Sequence, residues 1–248
     1  MTTVASGAHV TPRSGLRHWP LSIRSVARIA VVWLITLAAT VALGKLIIHV
    51  LEPSLFGDVD RHISIWFEAQ RSRWLVDAAK VGSNASDSFA VIPACAILLV
   101  IFVRAWRRWH DIVLVVGSLL LEKGVFLPTS IIVGRQRPPV EQLGGSPPTT
   151  GYFSGHVAAA VAFYFGLCVV VYWHNHSPVV RRLAPVVATL AVCVVALSRL
   201  LLGMHYLSDV LVGVIVGTIA LLTVHYALSF DPESPNARHP KSVAQTVR

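Results

Sequence analysis

Charged residues are scarce in this chain. Asp, Glu, Lys and Arg together account for 13% of its 248 residues, whereas hydrophobic residues account for 54% and the mean hydropathy is +0.66. A soluble domain of this length rarely combines so little charge with so many apolar side chains. The composition therefore excludes an ordinary soluble globular protein and indicates an integral membrane protein.

Cysteine is equally scarce. The chain has three cysteines, Cys95, Cys168 and Cys193, which lie in apolar segments at unrelated spacings. Such cysteines indicate neither a disulfide framework nor a metal site. His174 and His176 lie in a short polar turn without a third ligand, so we expect both to be exposed to solvent and not to bind a metal. We predict no metal ion and no other cofactor.

Long apolar runs, by contrast, are abundant. Six of them can be read, at 29–51, 88–103, 112–133, 157–173, 183–201 and 207–229. Each can cross a hydrocarbon core about 30 Å thick as a helix, the shortest only marginally, and open strands are excluded because backbone groups in lipid must pair within their own segment. We predict an all-α polytopic membrane bundle with six transmembrane helices. It forms one domain over 29–229, between a basic cytoplasmic tail at 1–28 and a disordered cytoplasmic tail at 230–248.

Basic residues fall mainly on one side of such a bundle. Twelve of them lie in the two tails and in two short turns on the same side: Arg13, Arg17, Arg24, Arg28, Arg104, Arg107, Arg108, Arg181, Arg182, Arg238, Lys241 and Arg248. By the positive-inside tendency, we expect the protein to lie in a cell membrane with this side facing the cytoplasm. Contacts with anionic lipid headgroups then account for the net charge of +9, and no nucleic-acid partner is needed. On the opposite side, 53–86 predicts an amphipathic helix lying on the surface.

Polar residues that can carry chemistry collect in three blocks. The longest, at 198–209, reads Ser-Arg-Leu-Leu-Leu-Gly-Met-His-Tyr-Leu-Ser-Asp. Taken singly, its arginine or histidine is more simply explained as an interfacial anchor. If the block is helical, however, His205 and Asp209 share one face, and the carboxylate can orient the imidazole as in an activated nucleophile. Arg199 adds a charged fork that suits phosphate oxygens.

The two shorter blocks read Gly-Arg-Gln-Arg-Pro-Pro at 134–139 and Phe-Ser-Gly-His at 153–156. With six spans, the first block follows span three, the second precedes span four, and the third joins spans five and six. All three blocks then lie at the same depth, on the outer face of the membrane. This arrangement predicts a single site built from all of them.

In this order the blocks resemble the three signature blocks of the phosphatidic acid phosphatase type 2 superfamily. These are membrane lipid phosphatases related to bacterial acid phosphatases and vanadium haloperoxidases, and they include an undecaprenyl-pyrophosphate-phosphatase-like branch. The third block matches at every signature position, and the resemblance covers roughly residues 55 to 225. It implies a metal-independent phosphohydrolase that removes phosphate from a lipid phosphate or prenyl (pyro)phosphate in the membrane.

The resemblance also implies a role for each residue. His205 attacks phosphorus to form a phosphohistidine, Asp209 holds its ring, and His156 serves as general acid and then as general base. The remaining matched groups bind the phosphate oxygens: Arg137, Arg199, the Ser154 hydroxyl and the Gly155 backbone N–H.

Two positions depart from the family pattern. The lysine that usually lies seven residues before the last arginine of the first block is Ser130 here, and we expect Arg135 to supply the missing phosphate-binding cation. The proline that usually opens the second block is Phe153, a change that leaves the hydroxyl, the glycine and the histidine in place. Two other functions stay open: a phosphotransferase with the same intermediate, and a non-catalytic relative such as a transporter or scaffold.

One ionisable pair fits no block. Glu122 and Lys123 fall near the middle of the third span, where ionisable side chains are costly and usually face a cavity or a partner. Lys123 precedes Arg137 by fourteen residues, which is about 21 Å along a continuous helix. On that estimate it cannot replace the missing lysine, and we expect the pair to have a packing role only.

Overall fold

The computed structural model of the protein describes residues 20–84, 88–105, 109–144 and 151–230. Within these ranges the chain forms eight helices and no strand, as the all-α prediction requires. The helices are α1 (Ile23–Leu51), α2 (Leu55–Ala69), α3 (Arg73–Asn84), α4 (Ser88–Ala105), α5 (Trp109–Val133), α6 (Gly155–His174), α7 (Pro178–Leu201) and α8 (Leu207–Phe230). Helices α1 and α6 each include a five-residue π-helical stretch, at Ile47–Leu51 and Val161–Phe165.

Five helices, α1 and α5 to α8, are long and apolar enough to cross a membrane. The chain is therefore a multi-pass membrane protein. Helix α4 has 18 residues and corresponds to the predicted span at 88–103, so the count of six spans stays a prediction. Most of the two predicted tails, 1–19 and 231–248, lies outside the described residues.

Two spans begin at least five residues earlier than their apolar runs. Helix α1 starts at Ile23 because the Ser22 hydroxyl accepts the Ser25 backbone N–H at 3.2 Å and caps the helix. Helix α7 starts with Pro178, whose fixed φ suits the first helical position. Hydropathy locates the apolar part of a membrane helix, whereas the capping residues determine where the helix begins.

Helices α6 and α8 pack unusually closely. On α8, a Cβ at Gly213 would lie 2.6 Å from the Ser154 carbonyl oxygen, and one at Gly217 would lie 2.5 Å from the Ala158 carbonyl oxygen. Glycines four residues apart allow two membrane helices to approach backbone to backbone. This contact holds the beginning of α6, with the second sequence block, against the beginning of α8.

The chain reverses direction where α5 ends. Gly134 adopts a φ of 70°, the left-handed conformation that commonly terminates a helix. Just before it, the Lys45 ammonium donates to the Val133 carbonyl oxygen at 3.2 Å. Residues 135–144 therefore turn back over the end of the bundle and do not extend the axis of α5.

The predicted amphipathic helix over 53–86 is two helices, α2 and α3, and α3 packs against α7. Arg71, in the connection between them, donates to the carbonyl oxygens of Leu201 at 2.8 Å and Glu141 at 2.7 Å and pairs with the Glu68 carboxylate at 3.1 Å. The Arg71 side chain therefore connects the end of α7 and the 135–144 segment to α2 and α3.

Candidate active site

The three sequence blocks meet at one end of the bundle, where α5 and α7 end and α6 and α8 begin. Backbone hydrogen bonds connect them directly. The Gly151 N–H donates to the Arg135 carbonyl oxygen at 2.8 Å, and the Ser154 N–H donates to the Asp209 carbonyl oxygen at 3.0 Å. Residues that are up to about seventy positions apart in the sequence thus share one small polar region.

His205 lies in the turn between α7 and α8, not on a helix. Gly203, with a φ of 69°, ends α7 and separates the histidine from it. The Nδ1 atom lies 2.7 Å from the Gly151 carbonyl oxygen, and the residue is only 4% exposed. Because a carbonyl oxygen can only accept, Nδ1 carries the hydrogen and Nε2 retains its lone pair.

The surroundings of His205 favour its neutral form. Burial lowers its pKa well below the usual 6.5, and the positive charges of Arg199 and Arg137 lower it further, while the hydrogen bond to Gly151 acts in the opposite direction. The net result is a neutral imidazole at physiological pH. A neutral ring with an unprotonated Nε2 has the electronic state that a nitrogen nucleophile requires.

Asp209 does not hold the His205 ring, contrary to the sequence interpretation. One of its carboxylate oxygens pairs with Arg135 at 2.5 Å, and the other accepts the Tyr206 backbone N–H at 2.9 Å. The expectation of a shared helical face was wrong because His205 lies in the turn before α8, which begins only at Leu207. The Gly151 carbonyl oxygen takes the place of the expected carboxylate.

Arg135 forms several buried ion pairs. This finding corrects the interpretation of Arg135 as a phosphate ligand. Its guanidinium is 1% exposed and pairs with Glu52 at 2.8 Å, with Asp60 at 3.0 Å and with Asp209. It also donates to the Ser208 hydroxyl at 2.7 Å and lies 4.3 Å from the centre of the Tyr206 ring. With three carboxylates around it, this cation stabilises the fold of the site and does not replace the missing lysine.

Arg137 and Arg199 are the other two arginines of the blocks. Arg137 is half-buried, and its guanidinium lies 3.4 Å from the Met204 carbonyl oxygen. Arg199 is 3% exposed and donates to the Ser83 hydroxyl of α3 at 2.9 Å. Through their positive charges, both arginines lower the pKa of the His205 imidazole.

The second block forms the beginning of α6. Ser154 is its N-cap residue, and the hydroxyl oxygen is buried without a hydrogen-bond partner among the described residues. A buried hydroxyl of this kind is ready to donate to an anion. At Gly155, a Cβ would lie within 3.0 Å of the Phe126 ring, so this position admits only glycine without a shift of the ring. His156, next in sequence, is half-buried.

The two departures from the family pattern have local structural explanations. Phe153 packs edge-to-face against Phe126, with ring centres 5.6 Å apart, and is fully buried. The packing of Phe153 therefore restricts the turn before α6. A proline at this position would restrict the same turn through its ring. Ser130 is also fully buried and donates its hydroxyl to the Leu127 carbonyl oxygen of its own helix at 2.9 Å.

Sequence reasoning missed four residues of this site: Glu52, Asp60, Gly151 and Ser208. Glu52 and Asp60 belong to the acid-rich segment after α1, and this accumulation of acids on the side of the three blocks was the one available signal. Asp60 accepts the Ser208 N–H at 3.1 Å and also binds its hydroxyl. Helix α2 is thereby attached to the beginning of α8.

The far end of the bundle holds a second polar contact. The His174 imidazole lies 2.9 Å from the Asp111 carboxylate and its side chain is 11% exposed, so the expectation that it faces solvent was wrong. His176 is exposed, as predicted. In the part of the chain that the structure describes, no group of three or more His, Cys, Asp or Glu side chains is arranged to hold a metal ion.

The chain matches the sequence model of the PAP2 superfamily over residues 111–231, which include all three blocks. Its fold is similar to that of a transmembrane PAP2 type phosphatidylglycerolphosphate phosphatase from Bacillus subtilis, with 21% sequence identity, a TM-score of 0.66 and coverage of 82% of this chain and 95% of that one. Aquifex aeolicus LpxE aligns with 17% identity and a TM-score of 0.49, over 66% of this chain and 94% of its own. No curated protein matches the chain by sequence.

Proposed function

We propose, from the premise that the chain belongs to the PAP2 superfamily, that it is an integral-membrane phosphohydrolase that acts on a lipid phosphate or prenyl (pyro)phosphate. The observation that carries the proposal is the state of His205. Its Nδ1 is bound to the Gly151 carbonyl oxygen, its Nε2 keeps a lone pair, and two arginine charges act on the ring. A neutral nucleophile beside fixed cations is suited to attack a phosphate.

In the proposed reaction, the Nε2 lone pair of His205 attacks phosphorus and the bond from phosphorus to the ester or anhydride oxygen breaks. The departing oxygen keeps the electron pair of that bond and receives a proton from His156. The product is a phosphohistidine. Water then attacks the same phosphorus, the phosphorus–nitrogen bond breaks, and His156 takes the proton that the water loses.

The charge of the transferring phosphoryl group needs stabilisation throughout both steps. Arg137 and Arg199 supply cationic donors, and the Ser154 hydroxyl and the Gly155 N–H supply neutral ones at the beginning of α6. A helix N-terminus adds a favourable partial positive charge. These groups provide the stabilisation without a divalent cation, and we include metal independence in the proposal.

The membrane position of the site favours a substrate with a phosphate in water and a tail in lipid. Five helices can cross the bilayer, and α4 as a sixth would return the chain to the side on which it starts. The basic residues at the opposite ends of these helices support the proposal that the site lies on the outer face of the cell membrane. A phosphatidylglycerolphosphate, as in the name of the Bacillus subtilis neighbour, is one member of the substrate class.

The test is phosphate release by detergent-purified protein from phosphatidic acid, phosphatidylglycerolphosphate and a prenyl pyrophosphate, each with and without EDTA. We expect release in both conditions and its loss in His205→Ala, while His176→Ala, at the far end of the bundle, keeps the wild-type rate. A glycerol acceptor added to the assay separates hydrolysis from transfer, since transfer yields glycerol phosphate. Full activity of His205→Ala, or strict dependence on a metal, would contradict the mechanism.

A further inference from the structure

The end of α3 reaches an arginine of the third block. The Arg199 guanidinium donates from Nη1 to the Ser83 hydroxyl at 2.9 Å, and the two residues are 116 positions apart in the sequence. Both are buried, with Ser83 5% and Arg199 3% exposed. A hydrogen bond to an arginine of the proposed phosphate site therefore comes from a helix that lies outside all three blocks.

Close packing of α3 against α7 brings Ser83 to this position. Gly82 immediately precedes Ser83, and a Cβ at Gly82 would lie 2.5 Å from the Ser198 hydroxyl oxygen. One turn earlier on α3, Ala79 is 5% exposed and belongs to the same apolar cluster as Leu201 of α7. Small residues at these two positions let the helices approach closely. The short serine side chain can reach the guanidinium because of this approach.

The beginning of α3 is attached to α7 as well. Arg71, which precedes α3, donates to the Leu201 carbonyl oxygen at 2.8 Å. Ser83 lies in the last turn of α3, which ends at Asn84. Hydrogen bonds near both ends of α3, with close packing between them, thus fix the position of Ser83 relative to Arg199. A polar group on a helix that is attached in this way orients its partner more precisely than a group on a loop does.

The chemical type of this partner matters for the charge of Arg199. A serine hydroxyl is neutral, so it accepts an N–H of the guanidinium without cancelling the positive charge. The carboxylates around Arg135, by contrast, neutralise the cation that they orient. An arginine side chain is long and flexible, and a guanidinium that is oriented before the substrate arrives loses less conformational freedom when it binds a phosphate. A neutral partner therefore provides orientation and preserves the charge.

We propose that Ser83 is a positioning residue for phosphate binding. Its hydroxyl orients the Arg199 guanidinium toward the phosphate oxygens of the substrate and leaves the positive charge of that arginine intact. The inference rests on the proposed function, in which Arg199 is a phosphate ligand. It makes the end of α3 a part of the active site, although the sequence indicates only an amphipathic surface segment there.

The experiment uses inorganic phosphate as a competitive inhibitor of the purified protein. Ser83→Ala should raise the inhibition constant for phosphate by about threefold to tenfold, because it removes a hydrogen bond that orients a charged ligand group. Ser83→Thr keeps the hydroxyl and should stay within about twofold of the wild type on the same scale. Ser118→Ala is the matched control, since Ser118 is a fully buried serine of α5 whose hydroxyl donates to the Leu114 carbonyl oxygen of its own helix. This control should leave the inhibition constant unchanged.

Ser83→Asp separates positioning from a purely structural role. An aspartate would pair with Arg199 more strongly than serine does, so it should attach α3 to α7 at least as well as alanine does, but its charge would neutralise the guanidinium. We therefore expect a melting temperature no lower than that of Ser83→Ala together with a larger rise of the inhibition constant, above about tenfold. A wild-type inhibition constant in Ser83→Asp would show that the hydroxyl serves packing alone.

Arg199→Ala distinguishes this inference from the function on which it rests. Without the guanidinium, Ser83→Ala should change the inhibition constant no further, because the two residues act through one contact. Additive effects of the two variants, or a folded Ser83→Ala protein with the wild-type constant, would overturn the inference while the wild type still released phosphate. Absence of phosphate release from every lipid by the wild type, or unaltered inhibition by phosphate in Arg199→Ala, would instead contradict the proposed function.

Discussion

The His205 imidazole is oriented by a backbone carbonyl, that of Gly151, over a distance of 2.7 Å. Gly151 in turn donates its N–H to the Arg135 carbonyl oxygen, so the ring is attached to the segment that follows α5. Any carboxylate partner would carry a negative charge and favour imidazolium, whereas a carbonyl fixes the tautomer with a smaller effect on the charge of the ring. This relationship keeps His205 both oriented and neutral.

The lowered pKa of His205 predicts how stability depends on pH. An unfolded histidine binds a proton below about pH 6.5, whereas the buried ring does so only at a much lower pH. Below pH 6.5 the unfolded state therefore binds more protons, and the free energy of unfolding falls by about 1.4 kcal/mol per pH unit until the folded ring also titrates.

The variant His205→Gln lacks this proton and should lose less stability as the pH falls. The measurement is the difference in thermal stability between the wild type and the variant in detergent at pH 7.5, 6.5 and 5.5. A difference that stays constant over this range would show that His205 titrates alike in the folded and unfolded states.

The ion pairs of Arg135 predict a large structural effect. Arg135→Ala leaves three carboxylates together without their cation, and breaking such a buried network costs about 3–5 kcal/mol. We therefore expect a strongly lowered melting temperature together with loss of activity. Asp60→Asn keeps an oxygen acceptor for Ser208, so we expect it to lower the melting temperature less than Arg135→Ala does.

Arg61→Ala is the control for that comparison. Arg61 pairs with Asp58 at 3.4 Å, but both side chains are about half exposed, so the pair contributes little. If Arg135→Ala melted at the same temperature as Arg61→Ala, the buried network would not be the stabilising element that its geometry indicates.

The fold was predictable to the extent that it depends on local patterns. Apolar runs located the membrane helices, and block order indicated which segments form the site. The position of Arg135 relative to Glu52 and Asp60 had no such pattern, because Arg135 lies 83 and 75 positions from these two residues in the sequence. The pairing of His205 with Asp209 was predicted wrongly because a single glycine, Gly203, ends the helix between the block's arginine and its histidine.

The topology predicts opposite chemical accessibility for two exposed positions. Gln142 lies in the segment over the site, and His176 lies in the turn between α6 and α7. In a variant without the three native cysteines, a cysteine at 142 should react with a membrane-impermeant maleimide in intact cells, whereas one at 176 should react only after the membrane is permeabilised. The reverse labelling pattern would place the site on the cytoplasmic face.

Gly213 tests how closely α8 must approach the second block. An alanine there would place its Cβ 2.6 Å from the Ser154 carbonyl oxygen, a distance that forces the two helices apart. We expect Gly213→Ala to lower stability by about 1–3 kcal/mol and to reduce kcat/KM, because Ser154 and Gly155 move with the backbone. Gly117→Ala is the matched control on α5, since its Cβ would lie 3.4 Å from Val224, an ordinary contact. Equal melting temperatures and activities for the two alanine variants would show that the close approach at Ser154 can relax without consequence for the site.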